Sequence, residues 1–302
     1  MRKLIILALL TVIFACKPEK EENGKLQVVT TTTMITDLVK IIGGDKIEVN
    51  ALMGAGVDPH LYKASEGDVS KLFNADAVIY NGLHLEGKLE EVFEKMRDQQ
   101  KKTIAVVDAL DIRSLIGSKD FASNFDPHIW FDITKWEEIT KYVMSELSKL
   151  DAKNAEAFKA NGAKYLEDLA ILKLSVSEKI SELPVEKRIL VTAHDAFNYF
   201  GKAYDFQVVG LQGLSTATEA GVKDVQKLAS FILENDIKAV FIESSVPKRT
   251  IEALQEAVKA KGKEVVIGGT LYSDALGNVG TPEGTYLGMY NHNVNTIVNG
   301  LK

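Results

Sequence analysis

A single cysteine, Cys16, among 302 residues excludes an intrachain disulfide and any thiolate metal cluster. A basic surface is missing as well: 36 Lys and Arg stand against 42 Asp and Glu, so nucleic acid is not an expected partner. No HExxH or other short-spaced catalytic metal motif occurs, and there is no low-complexity segment or short tandem repeat. Long apolar runs are scarce too. The one that opens the chain, Leu4 to Phe14, falls short of the roughly 20 residues that a transmembrane helix needs.

That run is preceded by Arg2 and Lys3 and followed by Ala15 and Cys16, the pattern of an export signal. Ile13-Phe-Ala-Cys16 resembles a bacterial lipobox, which implies lipidation of Cys16 and membrane attachment through it. Residues 1–15 are expected to be a signal peptide, and residues 16–24, polar and without apolar periodicity, a tether. Loss of Arg2 and Lys3 leaves 36 − 2 = 34 basic residues and a net charge of 34 − 42 = −8. The remaining 302 − 24 = 278 residues are large for one core and comfortable for two domains.

Short β-branched runs alternate with amphipathic segments. The first set is Leu26 to Thr31, Ile47 to Leu52, Ala77 to Tyr80 and Ile104 to Val107; the second is Ile189 to Ala193, Phe206 to Leu211, Ala239 to Ile242 and Val265 to Ile267. Such alternation predicts βα units on parallel sheets, arranged here as two lobes of one α/β architecture. Between them Phe158, Gly162, Tyr165, Leu169, Leu172, Val176, Ile180 and Leu183 recur every three or four residues up to Pro184. The spacing predicts a connecting helix over 151–183, about 50 Å long, between lobes at 25–150 and 184–302. Thr134-Lys-Trp-Glu137 reads as a capping box for the helix before it, and Thr281-Pro282 as the start of a last helix reaching Val298.

Three of the five histidines follow predicted strands: His60 in Asp58-Pro-His60, His128 in Asp126-Pro-His128, and His194 in Thr192-Ala-His194. Ligands of parallel α/β sheets gather at the carboxyl ends of strands, so loop histidines from different βα units can converge on one crevice. With Asp274, in a glycine-flanked turn after the last predicted strand, each lobe contributes two candidates and the site falls between them. His84 and His292 are set aside, the first as a residue near the cleft and the second as a surface or packing residue of the final helix.

These stretches, together with Tyr80-Asn-Gly-Leu-His-Leu-Glu86, Phe241-Ile-Glu-Ser-Ser245 and Ser273-Asp-Ala-Leu-Gly277, resemble the metal-binding lipoproteins of bacterial ABC importers, the TroA/ZnuA-like cluster A-I group. The resemblance covers essentially the whole mature chain. It implies two (β/α)4-type lobes joined by one long helix, with a metal held by His60, His128, His194 and Asp274. Asp58, Asp126 and Glu243 are candidates to accept ring N–H groups of the ligands. Three imidazoles and one carboxylate suit zinc first, then manganese, with iron(II) also acceptable. The implied partners are an ABC importer permease and its ATPase. The chain is expected to act as an exported monomer, periplasmic or on the outer face of the cytoplasmic membrane.

Two features depart from the specialised branches of that group. The zinc branch tends to carry a His-rich loop after the first ligand, yet Leu61 to Leu83 contains no histidine; the manganese branch tends to place glutamate where His194 stands. Two rival readings follow from the same residues. Three histidines also describe a zinc hydrolase, although a fourth protein ligand would close the site against an activated water. A lipid-anchored adhesin is the other.

Overall fold

The computed structural model describes residues 24–302; the expected signal peptide, Cys16 and the rest of the tether lie outside the described residues. In the first lobe β1 (Leu26–Thr30) pairs in parallel with β2 (Ile47–Ala51) and β3 (Ala77–Tyr80), and β3 pairs with β4 (Thr103–Ala105), giving the order β2-β1-β3-β4. The crossovers carry α1 (Thr33–Gly43), α2 (Glu66–Asn74) and α3 (Glu90–Asp98). In β1 and β3 the buried residues are consecutive, as strands covered on both faces require.

Two further helices, α4 (Ile133–Leu150) and α5 (Ala155–Ser181), lead to the second lobe. There β5 (Ile189–His194) pairs in parallel with β6 (Gln207–Gln212), and β7 (Ala239–Glu243) with β8 (Val266–Leu271), while β5 lies beside β7. The crossovers are α6 (Asn198–Tyr204), α7 (Val222–Glu234) and α8 (Arg249–Ala260), and α9 (Tyr286–Leu301) closes the chain. Both lobes are α/β with parallel pairing, joined by the long helix α5.

Several local readings shift. Asp151 to Asn154 form the C-cap of α4 and a short turn, so α5 spans 27 residues, about 40 Å. Its buried stripe is the expected one from Phe158 to Ile180. Thr134 does not cap α4: the Asp132 carboxylate lies closer to the helix start and accepts the N–H groups of Thr134 and Lys135, leaving the Thr134 hydroxyl to receive Lys173 Nζ. Thr281-Pro282 opens only a three-residue turn. The hydroxyl of Thr285 caps α9, which runs past Val298 to Leu301. Strand β8 continues through Gly268 and Gly269 to Leu271, where the sequence suggests a turn. Gly269 has φ +148° at the register shift opposite Phe241, a conformation open to glycine, so the pair of glycines makes a bulge and the strand survives it.

One hydrophobic core runs through both lobes. It joins Val28 and Leu38 near β1, Trp136 and Tyr165 on α4 and α5, and Leu190 and Tyr290 of the second lobe. Separate clusters fill the outer faces, around Leu72 and Phe93 in the first lobe and Leu228 and Leu254 in the second. Polar bonds cross the same seam: Leu276 N–H to Thr33 Oγ1 at 2.8 Å, Tyr286 N–H to an Asp37 oxygen at 2.8 Å, and Tyr290 O–H to the Phe131 carbonyl at 2.8 Å. No described helix is long and apolar enough to cross a membrane.

Candidate metal centre

In each Asp-Pro-His loop the aspartate accepts the backbone N–H of the histidine two residues on: Asp58 Oδ1 from His60 at 2.8 Å and Asp126 Oδ1 from His128 at 2.9 Å. This Asx turn, with proline fixing φ between its ends, gives the motif a mechanical meaning, because it sets the direction in which the imidazole leaves the chain. His194 is held differently, as the last residue of β5. Gly210 on the neighbouring β6 lets the strands approach closely there; a Cβ would stand 2.5 Å from the His194 carbonyl carbon. Asp274 lies just beyond β8, and the Trp130 indole of the first lobe donates to the carbonyl of its neighbour Ser273 at 3.0 Å.

The four side chains converge. One donor atom from each of His60, His128, His194 and Asp274 lies within 4.8 Å of every other. His60 Nε2 is 3.4 Å from His128 Nε2, Asp274 Oδ1 is 3.5 Å from His128 Nε2, and Asp274 Oδ2 is 3.2 Å from His194 Nε2. All four residues are buried, with His60 the most exposed at 5%. His194 Nε2 and both Asp274 oxygens are buried without a hydrogen-bond partner. Buried polar atoms are normally satisfied, so three orphans facing one point mark a place for a cation.

The opposite faces of two rings are anchored. His128 Nδ1 meets Asp126 Oδ1 at 2.8 Å, and His194 Nδ1 meets Glu243 Oε2 at 2.5 Å. A carboxylate on Nδ1 fixes the tautomer that leaves Nε2 with its lone pair toward the centre. Glu243 also accepts the His194 backbone N–H at 2.9 Å. Asp58 contacts no ring nitrogen: beyond its bond to the His60 backbone it accepts the Thr216 hydroxyl, across the cleft, at 2.5 Å.

Burial, reinforced by the neighbouring imidazoles, pushes His60 down to about 3 and keeps it neutral, ready to donate a lone pair. Burial opposes charge on His194 as well, but the carboxylates of Asp274 and Glu243 outweigh it and raise that imidazole well above its ordinary value. Burial likewise works against the Asp274 carboxylate. The three imidazoles, His194 foremost, override it and hold the group far below the usual carboxylate range.

His84 and His292 lie elsewhere. His84 pairs with Glu90 at 2.9 Å, and His292 on α9 contacts the Thr270 carbonyl at 3.0 Å. Three positioning groups carry no metal-ligand signature in the sequence. Glu86, buried, accepts Thr31 O–H at 2.7 Å and Asn81 N–H at 2.8 Å; the Asn81 amide then donates to the Pro127 carbonyl, one residue before His128, at 3.0 Å. Asn198 donates to Asp126 Oδ2 at 3.0 Å. The Tyr80 to Glu86 stretch stood out as a motif, which was the one available clue to the first pair.

The family model described as ZnuA, zinc-uptake complex component A, periplasmic, matches residues 28–300. The manganese-binding lipoprotein MntA of Bacillus subtilis is 49% identical over 283 residues, covering 94% of this chain and 92% of the relative. The zinc-binding protein TroA of Treponema pallidum is 48% identical over 279 residues, covering 92% and 90%. The solved structure of that periplasmic zinc-binding protein superposes with a TM-score of 0.89 over 92% of this chain and 99% of its own.

Proposed function

The chain belongs to the ZnuA family of metal-binding, substrate-binding proteins of ABC importers, and we propose on that premise that it captures one divalent transition-metal ion through His60, His128, His194 and Asp274 and presents it to a permease. The observation that carries this reading is the convergence of three buried imidazoles and a buried carboxylate, with His194 Nε2 and both Asp274 oxygens left without a hydrogen-bond partner. The ion is cargo. A fully enclosed set of four protein donors has no coordination position reserved for an activated water, and the relatives bear the names of metal-binding transport proteins, so catalysis is not favoured.

Zinc is the proposed preferred ion. Three imidazole nitrogens and one carboxylate oxygen make a donor set of the kind that zinc takes in tetrahedral sites. Manganese lies at the weak end of the first-row series and prefers more oxygen. It remains the competing cargo, and iron(II) the next, because the Asp274 oxygens each face a different histidine and can both coordinate. The near-equal identities to a manganese-named and a zinc-named relative do not separate the two.

Each lobe contributes two donors, so an ion bound by all four ties the lobes together. The common core and the polar seam limit the lobes to a small relative displacement during loading. Lipid anchoring through Cys16, the domain limits 25–150, 151–183 and 184–302, action as a monomer, and a place outside the cytoplasmic membrane complete the proposal. Elemental analysis of protein purified without added metal, followed by zinc and manganese competition, tests it: one ion per chain with zinc displacing manganese is expected. Less than stoichiometric binding of either ion would overturn the capture site, and displacement of zinc by equimolar manganese would overturn the preference.

A further inference from the structure

The four donors are not held alike. His194 ends β5 and Asp274 lies just beyond β8, so both move with the second lobe. The His128 loop is fastened to that lobe as well. Trp130 Nε1 donates to the Ser273 carbonyl at 3.0 Å, and the Tyr286 and Tyr290 hydroxyls donate to the Trp130 and Phe131 carbonyls at 2.7 and 2.8 Å. Tyr199 O–H and Asn198 Nδ2 donate to the carbonyl and to Oδ2 of Asp126, each at 3.0 Å. Although His128 belongs to the first lobe in sequence, the second lobe grips it.

His60 is the exception. Its loop, between β2 and α2, receives one hydrogen bond from the second lobe among the described residues: the Thr216 hydroxyl donates to Asp58 Oδ2 at 2.5 Å. The other oxygen of that carboxylate, Oδ1, accepts the His60 backbone N–H at 2.8 Å. One side chain therefore links the far wall of the cleft to the peptide that aims the imidazole. Thr216 is buried, yet it sits between β6 and α7 in a segment outside any helix or strand, and its neighbours Leu214, Ser215 and Thr218 line a cavity of about 380 Å³. A segment bordered by open space can withdraw without disrupting a packed core. A shift of about 1 Å suffices to end a hydrogen bond of this length.

We propose that Thr216 is a positioning residue: it latches Asp58 to the second lobe and so keeps His60 on the ion, and His60 is the first of the four donors to leave when cargo is released. The inference rests on the metal-capture reading. Thr216 is not among the donors and acts through Asp58. A hydroxyl bonded to a carboxylate is held by charge as well as by geometry. Because the latch forms only once the lobes are together, it slows departure of the ion and not its arrival.

Thr216→Val removes the hydroxyl and keeps the shape, whereas Thr216→Ser keeps the hydroxyl. Stopped-flow transfer of Zn2+ from loaded protein to excess chromophoric chelator is the test. Release from Thr216→Val is expected to be about tenfold faster, the worth of one hydrogen bond to a charged group, with association unchanged and Kd raised by the same factor. Thr216→Ser should restore slow release. Asp58→Ala should also release faster, and Thr216→Val added to it should change nothing, since the hydroxyl then has no carboxylate to hold. Native release from Thr216→Val, no rescue by serine, slower association in place of faster release, or additive effects of the two substitutions would overturn the latch. A native chain with no tightly held Zn2+ to release would instead overturn the capture reading itself.

Discussion

The two lobes share a parallel α/β plan but hold their ligands by different means. In the first lobe His128 is anchored by Asp126, two residues earlier in the same loop, and the His60 backbone is anchored by Asp58 at the same spacing. In the second lobe His194 is anchored by Glu243, 49 residues later on another strand, and Asp274 is reached only after β8 has passed its bulge. The first lobe thus writes its geometry into short motifs. The second obtains equal burial from strand packing, so its half of the site depends on tertiary structure being complete.

The strongest way to break the comparison is to remove the carboxylate that both lobes share. Asp274→Asn deletes the only charged donor and leaves a buried amide among three imidazoles. Loss of at least a hundredfold in Zn2+ affinity is expected by chelator competition, together with loss of the metal-induced rise in melting temperature. For the native protein that rise reflects about 4 kcal/mol at a thousandfold excess over Kd.

A finer comparison sets Glu243→Gln against Asp126→Asn. Each weakens the acceptor behind one ligand ring, and losses of about 10- to 100-fold in affinity are expected for such partners. If anchoring within a loop is the more self-sufficient, Asp126→Asn should retain its Asx turn and lose affinity alone. Glu243→Gln, which also releases the His194 backbone N–H, should lower the melting temperature of the metal-free protein as well. Equal melting temperatures for the two variants would erase the proposed distinction.

The smallest effect tests the seam. Burial raises Asp37 to about 6, against the N–H of Tyr286 and the charge of Lys40, which lower it. A raised carboxyl means that the folded state holds the proton more tightly. Its contribution is therefore intact below about pH 4 and is lost as pH climbs through 6, a change on the order of 3 kcal/mol. Asp37→Asn should flatten that part of the stability profile, with denaturant midpoints above those of the native chain at pH 7 and equal to them at pH 4. A parallel profile for the two proteins would contradict it.

What was legible in the sequence follows the same division. The alternating strands, the buried stripe of α5 and the repeated Asp-Pro-His stood out because they are local patterns, and the two-lobe plan followed from them. The boundaries were less legible where a stronger competitor sat two to four residues away, as Asp132 did for Thr134 and Thr285 for Thr281. Gly268 and Gly269 were misleading because glycine marks a turn and a bulge alike. The supports from Asn198 and Thr216 had no short-range signature, since each acts on a partner far away in sequence, and Glu86 and Asn81 were visible only as part of the Tyr80 to Glu86 motif, with nothing to say that they reach Thr31 and Pro127.

The four proposed donors fall at almost even intervals along the chain: 128 − 60 = 68, 194 − 128 = 66 and 274 − 194 = 80 residues. In a protein that cannot form an internal disulfide, a bound ion is therefore a four-way cross-link that closes three long loops at one point. Unlike a covalent bridge it forms only in the folded chain and disappears when the cargo leaves. Each delivery thus removes a fastener, and the resistance of this protein to proteolysis should rise and fall with the metal supply around it.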